Sequence, residues 1–141
     1  MLKTKLVHPE LLYTLGRAGH GSKVLLADGD YPVSTTAGRN SEIVHLNLCA
    51  GLVSCTQILE VLLPTLLIEY AEIMDVPKGQ GEPEIWDTYR EMFSQNGYSF
   101  TLKKLERFDF YDEVAKDHTA LIIQTGDLRE YANLLLTVGS L

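Results

Sequence analysis

The sequence contains few cysteines, no long apolar run and little positive charge. Its only two cysteines, Cys49 and Cys55, have a spacing that matches no common metal site, so we expect both to be small buried thiols rather than ligands or a redox pair. No apolar run reaches the roughly 18 residues that a membrane-spanning helix needs. The N-terminus also lacks the apolar segment of a signal peptide. We therefore expect a cytoplasmic protein with no membrane partner.

The charge balance argues against a nucleic-acid partner. Twelve basic and nineteen acidic residues give a net charge of −7 and a pI near 5.0. Proteins that bind nucleic acids usually carry a basic patch or stripe. The densest basic stretch here is only Lys103–Lys104 with Arg107 nearby. The acidic balance is compatible with a neutral or small polar ligand.

What the sequence does contain is a regular alternation of helical and strand patterns over 141 residues. With 45% apolar residues, a chain of this size can bury a core without disulfides or metal. The patterns predict helices at 8–19, 54–64, 83–97 and 109–118, and strands at 23–28, 42–48, 67–76, 100–108, 119–126 and within 128–139. Continuous apolar strands alternating with helices favour a sheet that is covered on both faces. We therefore predict one three-layer α/β/α domain, residues 1–141, around a largely parallel sheet.

The segment LGRAGHGSKVLLAD contains a glycine cluster that resembles a phosphate-binding loop only superficially. Such a loop follows a strand and opens a helix, so that the phosphate meets the helix N-terminus. Gly16, Gly19 and Gly21 instead follow a predicted helix and precede a strand. We therefore exclude nucleotide binding by this loop. Gly19 is predicted to end the helix in a left-handed conformation and Gly21 to permit a tight turn.

Two polar residues flank the strand that follows this turn. His20 lies between two glycines, where it is either a surface residue or a side chain held against a ligand. Asp28 lies at the carboxyl end of the strand, where ligands of open α/β sheets gather, but it also fits a turn that continues through Gly29 and Pro32. An extended strand covers about 3.3 Å per residue, so His20 and Asp28 are too far apart to form a local pair.

Two further groups could contribute to a site near the C-terminus. Tyr131 and Asn133 carry neutral hydrogen-bonding groups suited to a sugar hydroxyl, although a turn and a half-buried tyrosine explain them equally. Arg107, Phe108, Phe110 and Tyr111 form an aromatic patch with one cation, which suits either a sugar ring or a core.

The other histidines have structural explanations. His8 precedes a helix, His45 lies within a predicted strand, and His118 lies at a helix end, where a cation suits the helix dipole. No spacing of histidine, cysteine or carboxylate residues indicates a metal site, and no serine occupies a nucleophile elbow. We expect no metal and no cofactor.

Two long segments together resemble a known family. HPELLYTLGRAGHGSKVLLADGDYP and LERFDFYDEVAKDHTALIIQTGDLREYANLLLTVG are similar, in order and over nearly the whole chain, to the family of L-fucose mutarotase and D-ribose pyranase. GHGSKVLLAD and GDLREYANLLLTVG are the most specific parts, and ERFDFY resembles the fucose branch. The segment ADGDYP departs from the SDAHFP-like loop typical of the family, although Asp28 is kept.

The resemblance implies an isomerase that interconverts the anomers of free L-fucose without a cofactor. It implies that His20 is the proton donor and that Asp28, Arg107, Tyr111, Tyr131 and Asn133 bind the sugar. It also implies a homo-oligomeric ring, in many members a decamer, with each site at a subunit boundary. Two alternatives stay open: a D-ribose pyranase, and a protein that binds or helps to transport a sugar, or acts as a scaffold, without catalysis.

Overall fold

One mixed sheet of six strands organises the chain. The structure is a computed structural model that describes residues 1–141. The helices are α1 (Pro9–Arg17), α2 (Val33–Thr36), α3 (Cys55–Leu62), α4 (Glu84–Gln95) and α5 (Arg107–Val114). The strands are β1 (Lys23–Ala27), β2 (Glu42–His45), β3 (Ile68–Met74), β4 (Lys103–Leu105), β5 (Thr119–Gln124) and β6 (Leu134–Val138). No helix is long and apolar enough to cross a membrane.

The predicted α/β class and the largely parallel sheet are confirmed. The strand order is β2-β5-β1-β6-β3-β4, and β6 alone runs antiparallel to its two neighbours. The sequence pattern could not show this reversal, because a buried strand has the same apolar composition in either direction. The reversal matters for function, since it brings the start of β6 to the edge where the other strands end.

Helices cover both faces of the sheet, which gives the three predicted layers. The larger core lies between the sheet and α1, α3 and α4, and it includes Leu11, Leu59 and Trp86. The smaller core lies on the other face, where α2 and α5 pack Val33 and Phe110 against β1, β5, β6 and the end of β3. The helix α2 is absent from the sequence prediction, because four residues are too few to show a helical period.

Several predicted helix boundaries are confirmed by local hydrogen bonds. Ser54 and Gln57 form a reciprocal capping box at the start of α3, as their spacing predicts. The chain leaves α3 before Pro64, and Gly97 follows α4 in the left-handed conformation, with φ +83°. Gly21 likewise has φ +83° and donates its N–H to the carbonyl of Val138, 2.9 Å away.

Four sequence predictions are wrong. The helix α1 ends at Arg17 through extended Ala18, so Gly19 is not a left-handed cap. The strand β2 stops at His45 instead of residue 48. The strand predicted at 100–108 covers only Lys103–Leu105, because Glu106 caps α5 and directs Arg107 into that helix. Cys49 is exposed, since it lies in the loop after β2, whereas Cys55 is buried as predicted.

Candidate functional site

A pocket opens at the edge of the sheet where the parallel strands end. Asp28 follows β1, Met74 ends β3, and Arg107 begins α5 shortly after β4. Asn133 reaches the same edge from the opposite direction, because it precedes the antiparallel β6. Ligands of open α/β sheets bind at this edge. The pocket has a volume of about 320 Å³ and is lined by Asp28, Asp30, Tyr31, Met74, Arg107, Tyr111, Glu130, Tyr131 and Asn133.

Asp28 and Asn133 form a reciprocal pair at the base of this pocket. The Asn133 side-chain amide donates to Asp28 Oδ2 at 2.8 Å, and Asn133 Oδ1 accepts the backbone N–H of Asp28 at 2.8 Å. Gln124 donates to the Asp28 carbonyl at 2.6 Å, and Asp28 Oδ1 accepts the N–H of Asp30 at 3.1 Å. The predicted turn after β1 is therefore present. It holds the Asp28 carboxylate in the pocket, where the carboxylate can also bind a ligand.

Burial makes the Asp28 carboxyl responsive to pH near neutrality. Asp28 is 7% exposed. Desolvation raises its pKa from 3.8 to about 6, although hydrogen bonds from the Asp30 and Tyr31 backbone and from Asn133 act in the opposite direction. A carboxyl group with such a pKa can both accept and return a proton under physiological conditions.

Arg107 and Tyr111 form the second wall of the pocket, one helical turn apart on α5. The Glu106 carboxylate caps this helix by accepting the backbone N–H of Phe108 and Asp109 at 2.8 and 3.2 Å. Arg107 Nε donates to the Tyr111 hydroxyl at 3.2 Å. The i,i+4 spacing places both side chains on one face of α5. If Arg107 belonged to a strand at 100–108, it would not share a helix face with Tyr111.

Tyr31 closes the apolar side of the pocket. Its ring packs edge-to-face on Tyr111, with 5.5 Å between the ring centroids, and on Phe110 at 6.2 Å. Burial raises the pKa of Tyr31 to about 12. Four further residues line the pocket although the sequence did not predict them as site residues, namely Asp30, Tyr31, Met74 and Glu130. Asp30 and Tyr31 lie within three residues of Asp28, and Glu130 precedes Tyr131. This closeness in sequence to predicted site residues is the one feature that could have identified them.

Tyr131 enters the pocket from a strained backbone. It has φ +59°, the left-handed conformation, and it is the one non-glycine residue of the chain with a positive φ. Such a conformation is unfavourable for a residue with a bulky side chain. Backbone strain of this kind clusters at functional sites, where surrounding contacts hold it.

His20 lies at the other edge of the sheet. It precedes β1, whereas Asp28 follows this strand, and His20 does not line the pocket. The His20 side chain is 60% exposed, and its Nε2 lies 2.9 Å from Glu69 Oε2. The chain therefore brings together five of the six predicted site residues, namely Asp28, Arg107, Tyr111, Tyr131 and Asn133, and leaves His20 apart.

Comparisons with known proteins place this arrangement in a family. The sequence model of the RbsD / FucU transport protein family matches residues 1–141. The chain belongs to this family. It is 34% identical to the fucose mutarotase of Mus musculus over 147 aligned positions, which cover 97% of this chain and 92% of the relative.

Solved structures of related proteins share the same architecture. A crystal structure of the fucose mutarotase of Streptococcus pneumoniae in complex with L-fucose matches this RbsD / FucU family member with a TM-score of 0.84 and 32% identity over 99% of both chains. The structure of Bacillus subtilis RbsD complexed with D-ribose matches with a TM-score of 0.82 over 100% of this chain and 99% of that one. Its 23% identity supports the fold alone.

The side chains of this family member's pocket are suited to proton transfer and hydrogen bonding. No three histidine, cysteine, aspartate or glutamate side chains come together in a way that could hold a metal ion. The pocket instead combines carboxylates, an amide, a guanidinium and two tyrosine hydroxyls with the apolar surface of Tyr31 and Met74. Such a mixture fits a small polyhydroxylated ligand with one less polar face.

Proposed function

We propose that this protein is an L-fucose mutarotase, which interconverts the α and β anomers of the free sugar. The observation that carries the proposal is the Asp28–Asn133 pair at the base of a pocket lined by Arg107, Tyr111 and Tyr131. The similarity to fucose mutarotases over nearly the whole chain supports L-fucose as the substrate.

The reaction is an exchange of protons around a ring that opens and closes. The bond between the anomeric carbon and the ring oxygen breaks, the ring oxygen gains a proton, and the anomeric hydroxyl loses its proton to leave an aldehyde. Rotation about the bond between C1 and C2, followed by closure, gives the other anomer. The proton count balances without a redox step, and positioned acid–base groups typically accelerate such steps by roughly 10² to 10⁴.

We assign the binding role to the five pocket residues and the proton-donor role to His20 of a neighbouring subunit. Asp28 accepts a hydrogen bond from the sugar, and its pKa of about 6 lets it take part in proton exchange. His20 and the pocket lie at opposite edges of the sheet, so a site that contains both requires contact between chains. From the family resemblance, we also propose that the subunits form a homo-oligomeric ring, of up to ten subunits, in the cytoplasm.

Exposed apolar side chains beside the pocket support an assembly with the site at a subunit boundary. Phe108 is 65% exposed and lies next to Arg107, and Leu128 is 63% exposed in the segment that leads to Tyr131. Large apolar side chains beside a polar pocket are typical of surfaces that another chain covers.

Saturation-transfer NMR on L-fucose tests the proposed activity. The wild-type protein should accelerate magnetisation transfer between the α and β anomeric protons, and His20→Ala and Asp28→Ala should each remove most of this acceleration. His45→Ala is the matched control, because this exposed histidine lies at the end of β2 and outside the pocket. Equal acceleration by wild type and His20→Ala would contradict the role of His20.

The same experiment separates the alternatives. A D-ribose pyranase would accelerate exchange between the pyranose and furanose forms of D-ribose more than exchange between fucose anomers. A sugar-binding protein without catalysis would bind L-fucose in calorimetry and leave the exchange rate unchanged. We expect fucose to be preferred, because Arg107 and Tyr111 line the pocket and belong to the ERFDFY segment that resembles the fucose branch.

A further inference from the structure

Two buried side chains of α4 hold the backbone that presents Tyr131 and Asn133 to the pocket. Trp86 Nε1 donates a hydrogen bond to the carbonyl of Tyr131 at 3.1 Å. The Tyr89 hydroxyl donates to the carbonyl of Ala132 at 2.5 Å. Both side chains are fully buried, and neither lines the pocket. The periodicity of α4 predicts only that they belong to the core.

The segment that they hold needs support. The left-handed conformation of Tyr131 is unfavourable for a residue with a Cβ atom. Successive hydrogen bonds from α4 fix the carbonyls of Tyr131 and Ala132, which lie directly before Asn133. Asn133 in turn orients Asp28 through two bonds of 2.8 Å. A short chain of contacts therefore links α4 to the base of the pocket.

The other end of the same segment is fixed as well. Asp127 Oδ2 accepts the backbone N–H of Cys55 at 2.9 Å, at the first residue of α3. Asp127 also accepts two hydrogen bonds from the Arg129 guanidinium, at 2.9 and 2.6 Å. Burial acts to raise the pKa of Asp127, but these hydrogen bonds keep it below its ordinary value. With Asp127 bonded to α3 and Asn133 bonded to Asp28, the two bonds from α4 hold the carbonyls of Tyr131 and Ala132 between these two points.

We propose that Trp86 and Tyr89 are positioning residues of the sugar site, which act through the backbone of Tyr131 and Ala132. The inference rests on the proposed function, since it assigns the ligand of this pocket to a sugar. Tyr89 is suited to its role because burial raises its pKa well above the ordinary value, so that its hydroxyl stays protonated and donates.

The test removes each donor and keeps an aromatic ring at each position. Trp86→Phe and Tyr89→Phe should each weaken L-fucose binding about fivefold, as expected for the loss of one net hydrogen bond that pre-organises the pocket. KM should rise by a similar factor while kcat changes little, because the reacting groups remain in place. Calorimetry gives Kd, and saturation-transfer NMR at several sugar concentrations gives KM and kcat.

Phe93→Leu is the matched control for a purely structural role. Phe93 is buried on the same helix, packs against Tyr98 and Phe100, and has no side-chain group that could hydrogen-bond to residues 130–133. This variant should lower the midpoint of thermal unfolding without changing Kd or KM. If Trp86→Phe and Tyr89→Phe behave like Phe93→Leu, with a lower midpoint and a Kd within about twofold of wild type, the inference is wrong.

A double-mutant cycle tests the route. If Trp86 acts by positioning the Tyr131 side chain, then Trp86→Phe should change Kd by less than about twofold in a Tyr131→Ala background, since that side chain is gone. A full fivefold effect in that background would contradict action through the Tyr131 side chain.

Amide hydrogen exchange supplies a readout that needs no sugar. Exchange in residues 130–133 should be faster in Trp86→Phe and Tyr89→Phe than in wild type, and unchanged in Phe93→Leu. Unchanged exchange in the two α4 variants would overturn the inference even if wild type binds L-fucose. A wild type that binds no L-fucose would contradict the proposed function, and the exchange comparison would then decide on the positioning role alone.

Discussion

At the scale of single residues, the Asp28 carboxyl illustrates how burial sets chemistry. The group is almost enclosed, yet its partner Asn133 is neutral, so no cation compensates for the lost hydration. Desolvation therefore dominates and raises the pKa to about 6. The same burial that gives Asp28 a useful pKa also makes its charged form costly to the folded state.

This cost should appear in the pH dependence of stability. An acid whose pKa is higher in the folded than in the unfolded protein stabilises the folded state most below its unfolded pKa, here 3.8, and this contribution is lost as the pH rises through about 6. The free energy of unfolding of wild type, minus that of Asp28→Asn, should therefore fall between pH 4 and pH 7, by at most about 3 kcal/mol.

Urea unfolding of both proteins at equal concentration from pH 4 to 8 gives this difference directly. The subtraction cancels the titration of every group that the two proteins share. A difference that stays constant with pH, or that rises, would show that Asp28 does not have a raised pKa in the folded chain.

At the scale of elements, a buried ionic cluster ties α5 to the sheet. Lys23 at the start of β1 is 3% exposed, donates to Glu72 of β3, and donates to Glu113 of α5 at 2.7 Å. Burial acts to lower the pKa of Lys23, but the two carboxylates keep it above its ordinary value. Burial acts to raise the pKa of Glu113, and hydrogen bonds from Lys116 and Lys23 bring it down to about 2. Lys23 and Glu113 thus stay charged at neutral pH.

The cluster predicts an asymmetry between single and double substitutions. Lys23→Met should lower the free energy of unfolding by about 3–5 kcal/mol, because the buried Glu72 loses its hydrogen-bond donor and keeps only the exposed ammonium of Lys103, 3.7 Å away. Lys23→Met/Glu72→Met should recover most of this loss, since Glu113 can still pair with Lys116 and His118. Urea unfolding at pH 7.5 measures both. A double variant no more stable than Lys23→Met would indicate that lost packing, and not the lost donor to Glu72, is responsible.

The elements also show what a sequence can and cannot reveal. Apolar periodicity predicted α1, α3 and α4, because each buries one regular face against the sheet. It failed at residues 100–108, where the apolar residues follow no single period and the helix cap is Glu106, a residue type less typical of caps.

The candidate site also contains residues that local sequence patterns indicate and residues that they do not. Asp28 lies at a strand end, where open α/β sheets bind ligands, and it lines the pocket. The sequence predicts only an apolar helix face for Trp86 and Tyr89, because their hydrogen-bond partners lie more than 40 residues away in the chain. Local patterns carry no information on such distant pairs.

At the scale of the whole molecule, the two parts of the proposed site lie at opposite edges of the sheet. The pocket contains Asp28 and Asn133, whereas His20 stands beside Glu69 before β1. His20 precedes β1 and Asp28 follows it, so the length of this strand separates the two residues, as the sequence predicts. If His20 donates the proton, every working site therefore draws on two chains.

Shared sites predict that two inactive variants restore each other. His20→Ala keeps an intact pocket, and Asp28→Ala keeps an intact His20. When the two are unfolded together in equal amounts and refolded, random assembly should join an intact pocket to an intact His20 in about a quarter of the sites, with activity near that fraction of wild type. Saturation-transfer NMR on L-fucose measures the recovery, and each variant refolded alone is the control. Activity no higher than in these controls would place His20 and Asp28 in the same functional site of one chain, or would remove one of them from catalysis.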